Sequence, residues 1–236
     1  YAAAQYWAPA GLPVVVDGQL SQFYSDEEEG VFCICGRTEM PEGNQSEWRN
    51  ALVCNINGVW DTLGIFDAAV TCAVQHGDTL FVAGHFQGVD GEPMGRILGF
   101  NEGAWHSYSE PENMGASKLK KINGELYRLS AADSLHGIPS TGVSVRQGGR
   151  WVPVGNLPPP DSPNGAHWLF DIIEYNGQLV VTGSINATTG HDVFILEGED
   201  WIPLGGGLPG WNDYGKRLAV YQGELYLGGG ISAWGG

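Results

Sequence analysis

The chain is poor in positive charge: 11 Lys and Arg stand against 27 Asp and Glu in 236 residues, for a net charge of −16. Nucleic acids and anionic membrane surfaces require a basic footprint, so the composition argues against nucleic acid and against a charged lipid surface as partners. Long apolar runs are also missing, and no stretch approaches the roughly 18 residues of a membrane-spanning helix. No membrane insertion is expected. Cysteine is scarce, with four residues at positions 33, 35, 54 and 72. They lack the paired knuckles of a four-thiolate zinc site, and no metal or cofactor is expected. There is no spaced ligand series ending in an acid, as a calcium loop requires, no Gly-x-Ser-x-Gly elbow and no zinc-protease helix motif.

What the chain has in abundance is turn-forming residues. Thirty-seven glycines and 13 prolines, with only 16% charged residues, make a globular composition that is neither disordered nor coiled-coil. Sheet architectures often run to this length in one unit and no linker is visible, so a single domain over residues 1–236 is expected. Because the chain begins at Tyr1 and not at methionine, processing or excision from a larger polypeptide is the natural expectation.

Aligning the tryptophans exposes a repeat. Trp7-Ala-Pro-Ala-Gly11, Trp60-Asp-Thr-Leu-Gly64, Trp105-His-Ser-Tyr-Ser109, Trp151-Val-Pro-Val-Gly155 and Trp201-Ile-Pro-Leu-Gly205 are versions of one corner, spaced 53, 45, 46 and 50 residues apart. Between the corners recurs a short apolar strand: Gly30 to Gly36, Asp78 to Gly84, Gly124 to Ser130, Gly177 to Gly183 and Gly223 to Gly229. Each unit reads as four strands, with Asn123-Gly124 and Asn176-Gly177 as the strongest two-residue hairpin signals. A lone four-stranded sheet cannot bury both faces, so successive sheets must stack around an axis. The expected fold is an all-β, five-bladed β-propeller with four antiparallel strands per blade. The last unit stops after two strands, and the N-terminal strands through Trp7 are expected to complete it and remove an open edge.

Leu218-Ala-Val-Tyr-Gln-Gly-Glu-Leu-Tyr-Leu-Gly-Gly229, together with Trp201-Ile-Pro-Leu-Gly-Gly206, resembles the Kelch and galactose-oxidase-like propeller repeat. It is closest to the repeats of secreted and cell-surface proteins of bacteria, notably Bacteroidota. The resemblance covers essentially the whole chain and implies an extracellular or cell-surface protein. Only Gly228-Gly229 keeps the repeat's double glycine, and nothing matches the copper and radical constellation of galactose oxidase, so its oxidase activity does not carry over.

Strand alternation sorts the connections onto two faces. One carries short turns; the other carries long, varied segments, including Arg37 to Asn50, His85 to Gly95, Ala131 to Ser140, Ser184 to His191, Asn156 to Trp168 and Gly206 to Lys216. Binding residues concentrate on loops held by a rigid scaffold, so a site is expected on the second face. Five tryptophans mark the corners and should pack. The other four, Trp48, Trp168, Trp211 and Trp234, have no periodic duty. Indole rings suit sugar faces or protein hot spots. Trp211-Asn-Asp213-Tyr214 is the richest local cluster; Trp48, His85, Asp90 and Trp168 complete the candidate ligand-binding set, and no catalytic residue stands out. A loop cap is an equal reading of the tryptophans, and a turn is the stronger reading of Asp90-Gly-Glu92. His85, His136 and His191 share the long-segment face but occupy different repeat positions, so scattered surface histidines are expected rather than a metal site.

The leading expectation is a non-enzymatic extracellular recognition module for a glycan or protein ligand, resting partly on analogy of fold. The alternatives are a polysaccharide-active enzyme with carboxylates near the axis, for which Asp171, Glu174, Asp67 and Asp213 are the available acids, and a spacer within a larger surface protein. All four cysteines are read as small buried hydrophobes, any disulfide having to be cross-strand or cross-blade.

Overall fold

The computed structural model describes residues 15–26, 30–42, 45–108, 116–130, 134–135, 138–139, 142–158, 167–185, 192–206, 208 and 214–231. Its hairpins form where two-residue turns tolerate a left-handed backbone. Asn123 and Gly124 have φ of 51° and 81°, and Asn57-Gly58, Asn176-Gly177 and Gln222-Gly223 repeat the pattern. Two successive positive φ values match the twist of the flanking strands, which is why Asn-Gly marks these sites.

The chain divides into two compact units, residues 1–115 and 116–236. In the first, β1 (Val15–Asp26), β2 (Val31–Glu42), β3 (Gln45–Ile56) and β4 (Val59–Phe66) form one antiparallel sheet. A second contains β5 (Val70–His76), β6 (Thr79–Gly84), β9 (Ile97–Asn101) and β10 (Ala104–Ser107). The short strands β7 (Gly88–Val89) and β8 (Glu92–Pro93) leave the second sheet and extend the first to six strands through Phe66 and Val89.

The second unit holds two further four-stranded sheets. One has β11 (Lys118–Ile122), β12 (Glu125–Leu129), β15 (Val143–Gln147) and β16 (Arg150–Pro153); the other has β17 (Trp168–Tyr175), β18 (Gln178–Ser184), β19 (Val193–Glu197) and β20 (Asp200–Pro203). Between β12 and β15 lies a two-stranded ribbon of β13 (Ser134–Leu135) and β14 (Ile138–Pro139). The last sheet consists of β21 (Tyr214–Tyr221) and β22 (Glu224–Gly230). Five successive sheets fit five blades, and the all-β, antiparallel expectation is met; among the described residues three of these sheets have the expected four strands, while the first has six and the last has two. The N-terminal strands expected to complete the last sheet lie outside the described residues.

Within each unit the first strands of successive sheets lie side by side: β1 against β5, and β17 against both β11 and β21. The Tyr24 hydroxyl accepts the Gln75 amide at 2.8 Å across the first of these junctions. The cores fill the space between sheets. Leu52, Val82, Leu98 and Phe86 join one cluster in the first unit; Leu129, Leu169, Ile172 and Phe194 join another in the second. Burying side chains of this size stabilises by about 1.5–3 kcal/mol each.

The corner tryptophans bind successive sheets together. Trp105 donates its indole N–H to the Leu63 carbonyl at 3.0 Å, and Trp201 donates to Val154 at 2.9 Å. In both cases the acceptor is the third residue after the preceding corner tryptophan. Trp151 and Trp201 are buried and Trp105 is half-buried against Phe66 and Phe100, which agrees with their reading as packing residues.

Three expectations are corrected. Arg37 to Asn50 is not a loop: β2 runs to Glu42 and β3 starts at Gln45, because the pairing continues in register from Arg37–Asn50 to Glu42–Gln45. His85 to Gly95 is largely the β7–β8 hairpin. Finally, Cys33 and Cys54 form a disulfide, since they stand directly opposite each other on β2 and β3. Cys35 and Cys72 are buried and are not disulfide-bonded.

Candidate functional site

In the second unit, chemistry-bearing side chains gather where the first strands β11, β17 and β21 lie together. The local cause is a bulge. Leu169 pairs with Gly183 but Asp171 pairs with Thr182, so one extra residue, Phe170, is inserted in β17. An equivalent irregularity falls between Gly215 and Arg217 in β21. Bulges re-aim side chains at sheet margins, and here they sit on facing first strands.

Asp171 is only 2% exposed and joins three strands. Its Oδ1 accepts from the Lys120 ammonium of β11 at 3.1 Å and from its neighbour's amide, Ile172 N, at 3.0 Å. Its Oδ2 accepts from Leu218 N of β21 at 3.0 Å. Both oxygens face N–H donors, so this group serves as an acceptor that anchors three strands. Lys120, on the other side of the pair, keeps 27% of its side chain exposed.

Beside this anchor lie aromatic rings and cations. Phe170 and Tyr214 meet edge to face with centroids 6.3 Å apart, and Lys216 Nζ stands 5.3 Å from the Tyr214 ring centre. Arg217 Nη1 donates to the carbonyl of Lys216 at 2.8 Å and reaches that of Phe170 at 3.5 Å. Trp168 opens β17 opposite Ser184 and is 55% exposed. Apolar ring faces flanked by cations can hold a polyhydroxyl ligand that has both C–H faces and oxygen acceptors.

The structure brings together two of the candidate ligand-binding residues, Trp168 and Tyr214, on neighbouring strands. It separates others. His85 is exposed in the first unit, its amide bonded to Ala69. Asp90 is the left-handed turn residue of the β7–β8 hairpin, with Oδ1 accepting the Ile65 amide at 2.9 Å. Trp48 lies within β3 opposite Glu39, in strand and not in a loop. Trp211, Asp213, Trp234, His136 and His191 lie outside the described residues. Among the described residues no three His, Cys, Asp or Glu side chains converge as a metal site.

Two acids offered as axial candidates are structural. Asp67 accepts the Gln87 amide at 2.9 Å, and Glu174 accepts the Gly177 amide of its own hairpin turn. Lys120 and Phe170 were missed. Lys118-Leu-Lys-Lys121 interrupts an otherwise apolar first-strand pattern, and that interruption was the available signal. Elsewhere in the unit, burial first and Glu125 second push the Tyr127 phenol above its ordinary range.

No protein-family model matches the chain, and no curated protein matches it. Among solved structures, it is similar to a GH43 β-xylosidase/α-arabinofuranosidase from a compost microbial metagenome, in complex with xylotriose in a calcium-free form. The identity is 12% and the TM-score 0.37, over 91% of this chain and 86% of that one. That structure is an enzyme, and against it the expectation of a non-enzymatic recognition module is corrected. Of the four spare tryptophans on which that expectation rested, Trp168 alone has a described side chain, 55% exposed at the start of β17. The likeness is too loose to assign this chain a substrate or any residue a role.

Proposed function

We propose that the chain is a polysaccharide-active enzyme whose working surface lies at the opening of the first strands in the second unit. The observation that supports this reading is the juxtaposition of Trp168, Phe170, Tyr214, Lys216 and the Lys120–Asp171 pair on adjoining strands. The rings and cations would bind sugar, while Asp171 holds the strands that carry them and positions Lys120. Glycosidic cleavage needs a proton donor and a second carboxylate at about 5–10 Å from each other. The saturated Asp171 does not suit the donor role. Asp213, which precedes Tyr214 in the chain, is the acid assigned to it in this reading.

The same proposal places the protein outside the cell or on its surface, within a five-bladed propeller of Kelch-like repeats, where extended glycans are the accessible substrates. The test is reducing-end release from a panel of plant and microbial polysaccharides and from aryl glycosides. Asp213→Asn should cut kcat at least a hundredfold with KM little changed, and Tyr214→Ala should mainly raise KM. Absence of turnover on every substrate by well-folded protein, or full activity of the Asp213→Asn chain, would sink the proposal.

A further inference from the structure

Positive charge is scarce in this chain and is not spread evenly. All four lysines lie on two strands: Lys118, Lys120 and Lys121 on β11, and Lys216 on β21 with Arg217 beside it. β17 lies against both of these strands. Together the three strands carry five cations against two acids, Asp171 and Glu174, in a chain whose net charge is −16. A local reversal of sign on this scale draws anions toward it.

The pairing registers set these charges at one level. Lys118 stands opposite Leu129, Asp171 opposite Thr182 and Arg217 opposite Gly228. Leu129, Thr182 and Gly228 are each the sixth residue of their seven-residue second-strand motif, so successive first strands offer cation, carboxylate and cation at the same repeat position. The carboxylate is consumed locally, because Asp171 accepts from Lys120 and from two main-chain amides. Lys216 and Arg217 differ. Both are exposed, Lys216 over the Tyr214 ring and Arg217 on the carbonyls of Lys216 and Phe170. Contacts of that kind orient a cation without cancelling its charge. Lys120 and Arg217 thus reach adjacent residues of β17, Asp171 and Phe170, from the two flanking strands.

We propose that the ligand of this surface is an acidic polysaccharide, one whose sugars carry carboxylate or sulfate groups. The inference rests on the sugar-binding reading given above and names its substrate class. Trp168, Phe170 and Tyr214 supply faces for sugar C–H groups, and Lys216 and Arg217, next to those rings, meet the acidic substituents. Arginine's planar fork holds an oxyanion at two points, which a lone hydroxyl does not match. A neutral glycan makes no use of these charges. The acidic remainder of the chain repels an acidic glycan, which directs it to the one group of strands where cations prevail.

The test titrates the full chain with two matched pairs: polygalacturonate and its carboxyl-reduced form, and dextran sulfate and dextran. At about 20 mM salt at least one acidic polymer should bind at least tenfold more tightly than its neutral partner, and roughly 0.3 M salt should remove most of that preference. The pair that shows it distinguishes carboxylate from sulfate. The Lys216→Gln, Arg217→Gln double variant should bind the favoured acidic polymer at least fivefold more weakly and its neutral partner as before. If that variant does not fold, the salt-sensitive preference of the parent chain decides. Equal binding within both pairs overturns the proposal, as does a preference that the double variant keeps in full, or binding of single-stranded DNA as tight as that of the favoured glycan. Cleavage is scored separately on the same polymers. Acid-selective binding without cleavage upholds this proposal and counts against the enzyme, while cleavage of neutral polymers with no charge preference does the reverse.

Discussion

A β-carbon placed on Gly155 would stand 2.5 Å from the indole nitrogen of Trp201 and 2.6 Å from Cδ1 of Leu196. Gly155 also holds φ at 67°, where an L side chain is strained. The glycine is thus required twice, by its own backbone and by the next sheet's tryptophan. Gly155→Ala should destabilise the protein by about 2–4 kcal/mol, since strain and displacement of a buried ring add. Gly148→Ala, at φ of 55° with open space around it, should cost only about 1 kcal/mol. Urea denaturation of the two variants checks the difference.

Asp171 should be the most costly carboxylate to remove. Replacing it by alanine strands the Lys120 ammonium and leaves the Leu218 amide without its acceptor. Breaking a buried pair by removing one partner costs about 3–5 kcal/mol. Lys120→Met should cost less, because the lysine is partly exposed and Asp171 keeps two amide donors. The measurement is the denaturation midpoint of each variant; equal midpoints would refute the three-strand anchor.

The cysteines should separate into two classes. Alkylation of the unfolded, unreduced chain should label Cys35 and Cys72 only, and peptide mapping should recover Cys33 joined to Cys54. Native protein should resist labelling at both thiols, because they are buried. Reduction should lower stability by about 2–4 kcal/mol, the usual effect of opening a short loop.

Burial, and secondarily Cys72, pushes the Cys35 thiol far above its ordinary value of 9.0. The folded state then keeps a proton that the unfolded chain releases. The contribution is fully present below about pH 9 and declines as pH rises past the unfolded value, with a slope approaching about 1.4 kcal/mol per pH unit. Cys35→Ala should flatten that alkaline decline by one group's worth. Stability measured between pH 8 and 11 in both chains tests the sign.

The turns and second strands were legible from local chemistry. Asn123-Gly124 and Asn176-Gly177 take the left-handed conformations that their residue types favour, and the apolar run from Gly177 to Gly183 is the buried strand it resembled. The site was only partly legible. Trp168 and Tyr214 were chosen for ring chemistry, and they do open adjoining first strands. Asp171 stood out only as one acid among several on first strands. Nothing in its neighbourhood along the chain announces that Lys120 and Leu218, each about fifty residues away, will bind it.

By itself the sequence determined what depends on near neighbours: where the chain turns, which short runs are apolar enough to be strands, and the period that counts five sheets. Those choices rest on backbone torsion and alternation within a few residues. The tertiary structure decided which strands meet. It turned the supposed loop after Arg37 into a long hairpin, sent β7 and β8 back to the preceding sheet, and set Cys33 against Cys54. It also showed why the corner ends in glycine at Gly64 and Gly155: the indole that needs the space arrives from the next sheet, more than forty residues later.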